Sequence, residues 1–247
     1  MMPAKIPDSS TAAREALSFL REHADAENAA SYQRYFKEPV DLYGVDYKEL
    51  RKYQADLIAS VRDTWGPADA VVFCKAMLDD PNMDARGLGF QVVAHFVTTA
   101  DQDLLSDIRL WLEEYCGNWG LVDNLAPSVL APLLDRYPDL IPEVVTWTDS
   151  TNLWLRRGVV VAFVPLVSQK KKYLATAYRI ARLVMADEED LMHKATGWLL
   201  REAGKQDPKR LEEFLLKHGP EIPRTSVRYA IEKFTKEDRQ RIMKATR

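Results

Sequence analysis

The feature that most constrains the fold of this chain is its helical periodicity. Apolar residues recur at three- or four-residue spacing along nearly the whole sequence, and no segment pairs strict alternation with an Asn-Gly or Asp-Gly hairpin turn. The segment 159–167 is rich in β-branched residues, but it continues from Leu153 without a turn residue until Pro165, so we predict a buried helix there. The pattern therefore predicts an all-α protein.

End signals mark several of the predicted helices. Asp46, followed by Glu49 three residues later, predicts an N-cap with a capping box. Asp207-Pro208 predicts another helix start, and Gly219 predicts the end of that helix. Thr235 predicts the cap of a terminal basic helix. The helix before it is predicted from the helical spacing of Val227, Ala230, Ile231 and Phe234.

The predicted helices are about a dozen residues long and are joined by short Pro, Gly or Asp breaks, with no internal boundary in composition. Such helices fit stacked pairs better than a closed bundle. We therefore predict an α-solenoid, in which one HEAT-like repeat domain over residues 1–247 forms a superhelix. Its long concave face would be free to hold an extended ligand.

Composition narrows the classes of protein. With 47% hydrophobic and 29% charged residues, the chain is typical of soluble globular proteins. The first ten residues lack the apolar core of a signal peptide, and no later stretch approaches membrane-spanning length, so we expect a cytoplasmic protein with no membrane partner. Cys74, Cys116 and the four histidines are scattered. We therefore expect no disulfide framework, no metal and no cofactor.

Charge is unevenly distributed, although the formal net charge is only −3. Residues 1–150 carry 13 basic and 25 acidic side chains, a net charge of −12. Residues 151–247 carry 21 basic and 12 acidic side chains, a net charge of +9. The cationic half indicates either a surface for nucleic acid or a solvated helical face coated with lysine and arginine.

Aromatic and charged residues combine in a first segment, residues 118–125. Trp119 and Asp123 lie four residues apart there and so share one helix face. An exposed indole beside a carboxylate is an unusual pair. Taken alone, however, the segment favours a core tryptophan with a capping or surface acid.

Two later segments also combine aromatic and charged residues. Residues 152–159 interrupt an apolar helix with Arg156 and Arg157, whose guanidinium groups could clamp a phosphate or form an inter-helix salt bridge. Residues 194–205 hold Trp198 on an apolar stripe, which taken alone is typical of a core position.

Together the three segments resemble the DNA alkylation repair enzyme family of HEAT-like repeat DNA glycosylases. Members of that family typically carry a Trp-Asp-x-Val-Asp, an Asn-Leu-Trp-x-Arg-Arg and a Lys-Ala-x-Gly-Trp-x-Leu-Arg-Glu stretch in this order. Further agreement extends over almost the whole chain. It comprises Tyr32, Phe36, Tyr43-Gly44-Val45, residues 49–52 and Arg228-Tyr229-Ala230.

The resemblance implies a function. It implies a superhelix that holds duplex DNA in its concave face and excises positively charged alkylated bases, such as N3-methyladenine and N7-methylguanine, without base flipping. Such a mode would also admit bulky adducts. We expect a monomer, and from the charge split we expect residues 151–247 to line most of the DNA-binding face.

The resemblance also implies site residues by motif position. The catalytic set comprises a carboxylate at Asp123, aromatic walls at Trp119 and Trp198, and an essential arginine at Arg157. The predicted DNA contacts are Tyr32, Arg157 and Arg201. Arg156 is the alternative to Arg157, because the spacing to neighbouring motifs can slip by one residue.

One residue departs from the family pattern. Gly120 stands where the family usually has aspartate, and glycine inside a helix costs roughly 1 kcal/mol relative to alanine, which bears on helix stiffness and DNA docking. The alternatives to a glycosylase are a non-catalytic HEAT-like protein that binds branched or damaged DNA and a protein–protein scaffold. The presence of Asp123, Trp119, Arg157 and Trp198 favours the glycosylase.

Overall fold

The computed structural model describes residues 7–247, and every regular element in that range is helical. The predicted all-α class is confirmed. Residues 1–6, on which part of the signal-peptide prediction rests, lie outside the described range. The α-helices are α1 (Ser9–Glu22), α2 (Ala26–Gln33), α3 (Tyr47–Val61), α4 (Pro67–Leu78), α5 (Met83–Phe96), α6 (Leu104–Leu110), α7 (Trp119–Leu125), α8 (Ala131–Arg136), α9 (Ile141–Thr146), α10 (Leu153–Gln169), α11 (Leu174–Leu183), α12 (Asp190–Gln206), α13 (Pro208–His218), α14 (Arg224–Ala230) and α15 (Lys236–Ala245).

The predicted helix starts are confirmed by their caps. The Asp46 carboxylate accepts the backbone N–H groups of Lys48 and Glu49 at 2.9 and 3.2 Å and so begins α3. Asp207 caps α13 in the same way, and the Thr235 hydroxyl accepts the N–H of the third residue of α15. These side chains satisfy donors that the first turn of a helix leaves unpaired.

Two apolar segments test the sequence interpretation. The predicted buried helix at 159–167 is confirmed, because this segment lies within α10, with Pro165 inside the helix. The predicted stripe from Val227 to Phe234 does not lie on one helix. Helix α14 ends at Ala230, and the chain then turns, with the Phe234 N–H donating to the Ile231 carbonyl. Ile231 stays buried through this turn, so the apolar spacing continues although the helix does not.

The chain divides into two compact units between Leu133 and Leu134. The predicted single repeat domain over residues 1–247 stays a prediction, and each unit is described by itself. In the first unit, α5 is the central helix and packs against α1, α3, α4 and α7. Its core is built from large buried side chains such as Phe73, Phe90 and Trp111.

In the second unit, α12 is the central helix and packs against α10, α11, α13 and α14. Gly197 lets α14 approach α12 closely. A Cβ atom at this position would lie 2.8 Å from the Ser226 carbonyl oxygen and closer still to the Tyr229 Cβ. The contact is reinforced by the Ser226 hydroxyl, which donates to the His193 carbonyl at 2.8 Å. No helix in residues 7–247 has the length and apolar character needed to cross a membrane.

The loop before α3 is fastened to α5 by Gly44. Its φ is +74°, a left-handed conformation that side chains rarely adopt, and a Cβ would lie 2.5 Å from the Ala29 nitrogen. The Gly44 N–H donates to the Asp84 carboxylate at 2.9 Å, and the Asp25 N–H donates to the Tyr43 carbonyl. The Tyr43-Gly44-Val45 motif thus places α2, α3 and the start of α5 relative to one another.

Candidate functional site

Helix α7 carries the predicted aromatic and carboxylate pair. The Asn118 side chain begins the helix by accepting the Leu121 N–H at 3.0 Å. Trp119 is the first residue of α7, and Asp123 follows one turn later, so the two share one helix as predicted. Both side chains are half-buried and lie outside the buried core of the first unit. The indole is therefore not the core residue that the isolated segment favours.

Trp119 is supported by a second aromatic ring. The Phe36 ring stacks on the indole with a centroid separation of 5.0 Å and an interplanar angle of 22°. The neighbouring Gly120 lies in the first turn of α7 rather than in its interior. A Cβ there would lie 3.2 Å from the Phe36 ring and would displace the terminal methyl group of Met83. Glycine at this position therefore allows Met83 and Phe36 to pack directly against the first turn of α7.

An open cleft of about 490 Å³ lies beside Asp123 in the first unit. Its walls come from α3, α5, α7 and the π-helical turn Ala126–Leu130. Asn124 is fixed in the wall, because its side-chain oxygen accepts the Gln91 amide at 2.7 Å and its carbonyl accepts the Ser128 hydroxyl. The cleft is lined by Tyr47, Leu50, Arg51, Gln54, Met83, Asp84, Gly87, Leu88, Gln91, Gly120, Asp123, Asn124, Pro127 and Ser128.

Two carboxylates line this cleft. Asp84 is engaged by the Gly44 N–H, and burial raises its pKa although the backbone N–H groups around it act in the opposite direction. Asp84 therefore fastens the loop before α3. Asp123 lines the cleft from α7, the helix that also carries Trp119.

Several tyrosines of the first unit are half-buried or exposed. Tyr32, a predicted DNA contact, is half-buried on α2. Tyr35 and Tyr47 are 72% and 62% exposed, which is unusual for rings of this size. Tyr47 lines the cleft, and the Arg51 guanidinium lies over its ring at 5.6 Å from the centroid. Exposed tyrosines are well suited to packing against a polar ligand.

The two arginines of α10 occupy different environments. The Arg156 guanidinium pairs with the Asp187 carboxylate through Nε at 2.7 Å, and it also donates to the carbonyls of Ser150 and Thr151. Arg157 is only 5% exposed and donates to the Leu191 carbonyl at 2.6 Å. Arg156 therefore forms the inter-helix salt bridge that was one of the two interpretations of this segment, and Arg157 is buried against the start of α12.

Helix α12 carries the remaining predicted residues of the second unit. Trp198 is half-buried, so it is not the core residue that the apolar stripe alone favours. Arg201 pairs with Glu232 and, at 3.4 Å, with the buried Glu202. The predicted DNA contact at Arg201 is therefore engaged by two carboxylates in this structure.

The six predicted site residues are divided equally between the units. Tyr32, Trp119 and Asp123 lie in the first unit, whereas Arg157, Trp198 and Arg201 lie in the second. Among residues 7–247, no cluster of His, Cys, Asp or Glu side chains could hold a metal ion. Burial raises the pKa of both thiols, Cys74 and Cys116, which leaves them protonated and unreactive.

Several residues of the cleft were not identified as site residues from the sequence. Arg51 falls within residues 49–52, which agree with the family, but that agreement gives it no role. Its four-residue spacing from Tyr47 is a weak signal of a paired surface. Gln91 and Asn124 gave no signal, because only the packing of α5 against α7 brings their amides together.

Comparisons with known proteins are consistent with this geometry. A family model described as DNA alkylation repair enzyme matches residues 16–234. A solved structure described as a predicted DNA alkylation repair enzyme from Enterococcus faecalis superposes with a TM-score of 0.76, covering 87% of this chain and 98% of that chain at 16% sequence identity. At this identity the likeness concerns the fold. A comparison with curated proteins finds no match.

Proposed function

The chain belongs to the DNA alkylation repair enzyme family, and from this premise we propose that it is a DNA glycosylase acting on positively charged alkylated purines in duplex DNA. Its substrates would be N3-methyladenine, N7-methylguanine and bulkier adducts at the same ring nitrogens. The reaction is hydrolysis of the N-glycosidic bond, which releases the free base and leaves an abasic site.

The observation that carries the proposal is the position of Asp123. Its half-buried carboxylate lines the open cleft of the first unit and lies one helical turn from Trp119. An alkylated purine already carries positive charge, so it leaves without protonation by a general acid. What the enzyme must stabilise is the deoxyribose, which becomes an oxocarbenium-like cation as the bond breaks. A fixed carboxylate stabilises that developing charge electrostatically.

The indole of Trp119 supports the same step. The stacking of Phe36 on one face fixes the plane of the indole, and we assign the contact with the cation to the opposite face. We assign the second aromatic wall to Trp198 and the essential arginine to Arg157, both by motif position. The Arg157 guanidinium is held in place by its hydrogen bond to the Leu191 carbonyl, and it is a planar group with several N–H donors.

The shape of the cleft supports excision of a base that stays stacked in the duplex. Enzymes that extrude a base enclose it in a snug pocket. The space beside Asp123 is open to solvent, and Gly87 and Gly120 are part of its wall. Such a cleft suits contact with the sugar and the backbone, and it would tolerate bulky substituents on the base.

The test is incubation with duplex DNA that contains N7-methylguanine at one position. We expect release of free N7-methylguanine together with an abasic site that alkali cleaves. A chain that binds the same duplex and releases no base would instead be a non-catalytic DNA-binding member of the family. A chain that binds no duplex at all would favour the protein–protein scaffold.

A further inference from the structure

The cleft beside Asp123 continues into a second opening of the first unit. This second opening has a volume of about 370 Å³ and shares Arg51, Gln54 and Gln91 with the first. It continues along α3 and α5 as far as Arg62 and His95. We call this continuous surface the α3–α5 groove. Its polar side chains are Arg51, Gln54, Arg62, Gln91 and His95.

Helical spacing builds this groove. On α3, Arg51, Gln54, Ile58 and Arg62 follow one another at three- or four-residue steps and therefore share one face. On α5, Gln91 and His95 are one turn apart. The openings are also lined by the small residues Ala55 and Ala59 on α3 and Gly87 on α5.

The groove is cationic although residues 1–150 carry a net charge of −12. Arg51 is exposed, and its guanidinium contacts the Tyr47 ring and hydroxyl, which leaves its charge intact. Arg62 contacts Asp63 at 3.8 Å, but both side chains are more than half exposed, so this pair is weak. The acidic residues that line the openings, Asp84 and Asp123, lie only at the cleft end.

We propose that the α3–α5 groove binds the phosphodiester backbone of the DNA strand beside Asp123, with Arg51 as the principal phosphate contact. The inference rests on the proposed function and adds a DNA contact in the acidic half of the chain. Guanidinium groups match phosphate oxygens in charge and geometry, and side-chain amides add neutral donors. In the groove these amides are Gln54 and Gln91, which flank Arg51.

Arg51 has a matched control in the next residue. Lys52 is an exposed cation on the same helix, and it lines neither opening. Arg51→Gln and Lys52→Gln therefore remove the same charge from adjacent positions. Affinity for an undamaged duplex would be measured across salt concentrations for both variants and for the unaltered chain. The slope of log K against log salt is negative, and each lost phosphate contact makes it less steep by about 0.9.

We expect the slope of Arg51→Gln to be less steep by about 0.9, and that of Lys52→Gln to match the unaltered chain. Equal slopes for all three proteins, equal losses in both variants, or no duplex binding by the unaltered chain would overturn the assignment. Base release from an N7-methylguanine duplex is measured separately. If the unaltered chain binds but releases no base, the proposed glycosylase is wrong, whereas the groove is still judged by its slopes.

Discussion

At the scale of single residues, Gly44 belongs to the Tyr43-Gly44-Val45 motif and also adopts a backbone conformation that favours glycine. Its positive φ and the nearness of the Ala29 nitrogen leave no room for a side chain. We expect Gly44→Ala to lower the free energy of unfolding by about 1–3 kcal/mol, measured by urea denaturation. The control is Gly117→Ala, because a Cβ at Gly117 meets nothing within 4 Å. Equal stability of Gly44→Ala and the unaltered chain would contradict this interpretation.

The adjacent arginines of α10 give a second prediction at this scale. Arg156→Ala removes the ion pair with Asp187, so it should reduce stability by about 1–3 kcal/mol and leave base release by the folded protein unchanged. Arg157→Ala should weaken duplex binding and slow base release by about tenfold or more. Single-turnover release and urea denaturation would be measured for both. The reverse pattern would assign the functional role to Arg156.

The sequence allowed the identities of candidate site residues to be predicted, but not the contacts that these residues make. The motif positions of Trp119 and Asp123 predicted one helix, which is confirmed. The sequence did not reveal that Arg156 pairs with Asp187 or that Arg201 pairs with Glu232. These partners lie 31 residues away in each case, and only tertiary packing brings them together.

At the scale of helices, the caps could be predicted because their physical cause is local. A side-chain oxygen at Asp46 or Thr235 reaches an N–H two or three residues away, so the signal is contained in a few positions. The early end of α14 could not be predicted. No Gly or Pro follows Ala230, and the turn keeps Ile231 buried at the spacing that a continued helix would give.

Gly197 gives a prediction for the packing of two helices. A Cβ at this position would press on the Ser226 carbonyl and on Tyr229, so α12 and α14 would have to separate. We expect Gly197→Ala to destabilise the protein by about 1–3 kcal/mol and to slow base release, because Trp198 is the adjacent residue. Thermal unfolding and single-turnover release measure the two effects. A variant with unchanged stability would show that the helices accommodate the added methyl group.

At the scale of the whole molecule, the all-α fold followed from helical periodicity, and the family followed from three short segments taken together. Charge was a poorer guide to where a ligand binds. The net charge of −12 for residues 1–150 is a sum over all surfaces, whereas the second opening of the first unit is lined by Arg51 and Arg62 and by no acidic residue. The division of the site residues between two units was not visible in composition.

The central claim is that Asp123 stabilises the sugar cation as an alkylated base leaves. The most direct measurement is single-turnover release of N7-methylguanine by Asp123→Asn, with duplex affinity measured alongside. Asp56→Asn serves as the control, since Asp56 is an exposed carboxylate on α3 that lines neither opening.

Asparagine keeps the shape of the side chain and removes its charge. We predict unchanged duplex affinity and release slowed by roughly 10² fold or more, about 3 kcal/mol, with Asp56→Asn releasing base at the rate of the unaltered chain. Release by Asp123→Asn at the unaltered rate would contradict the claim.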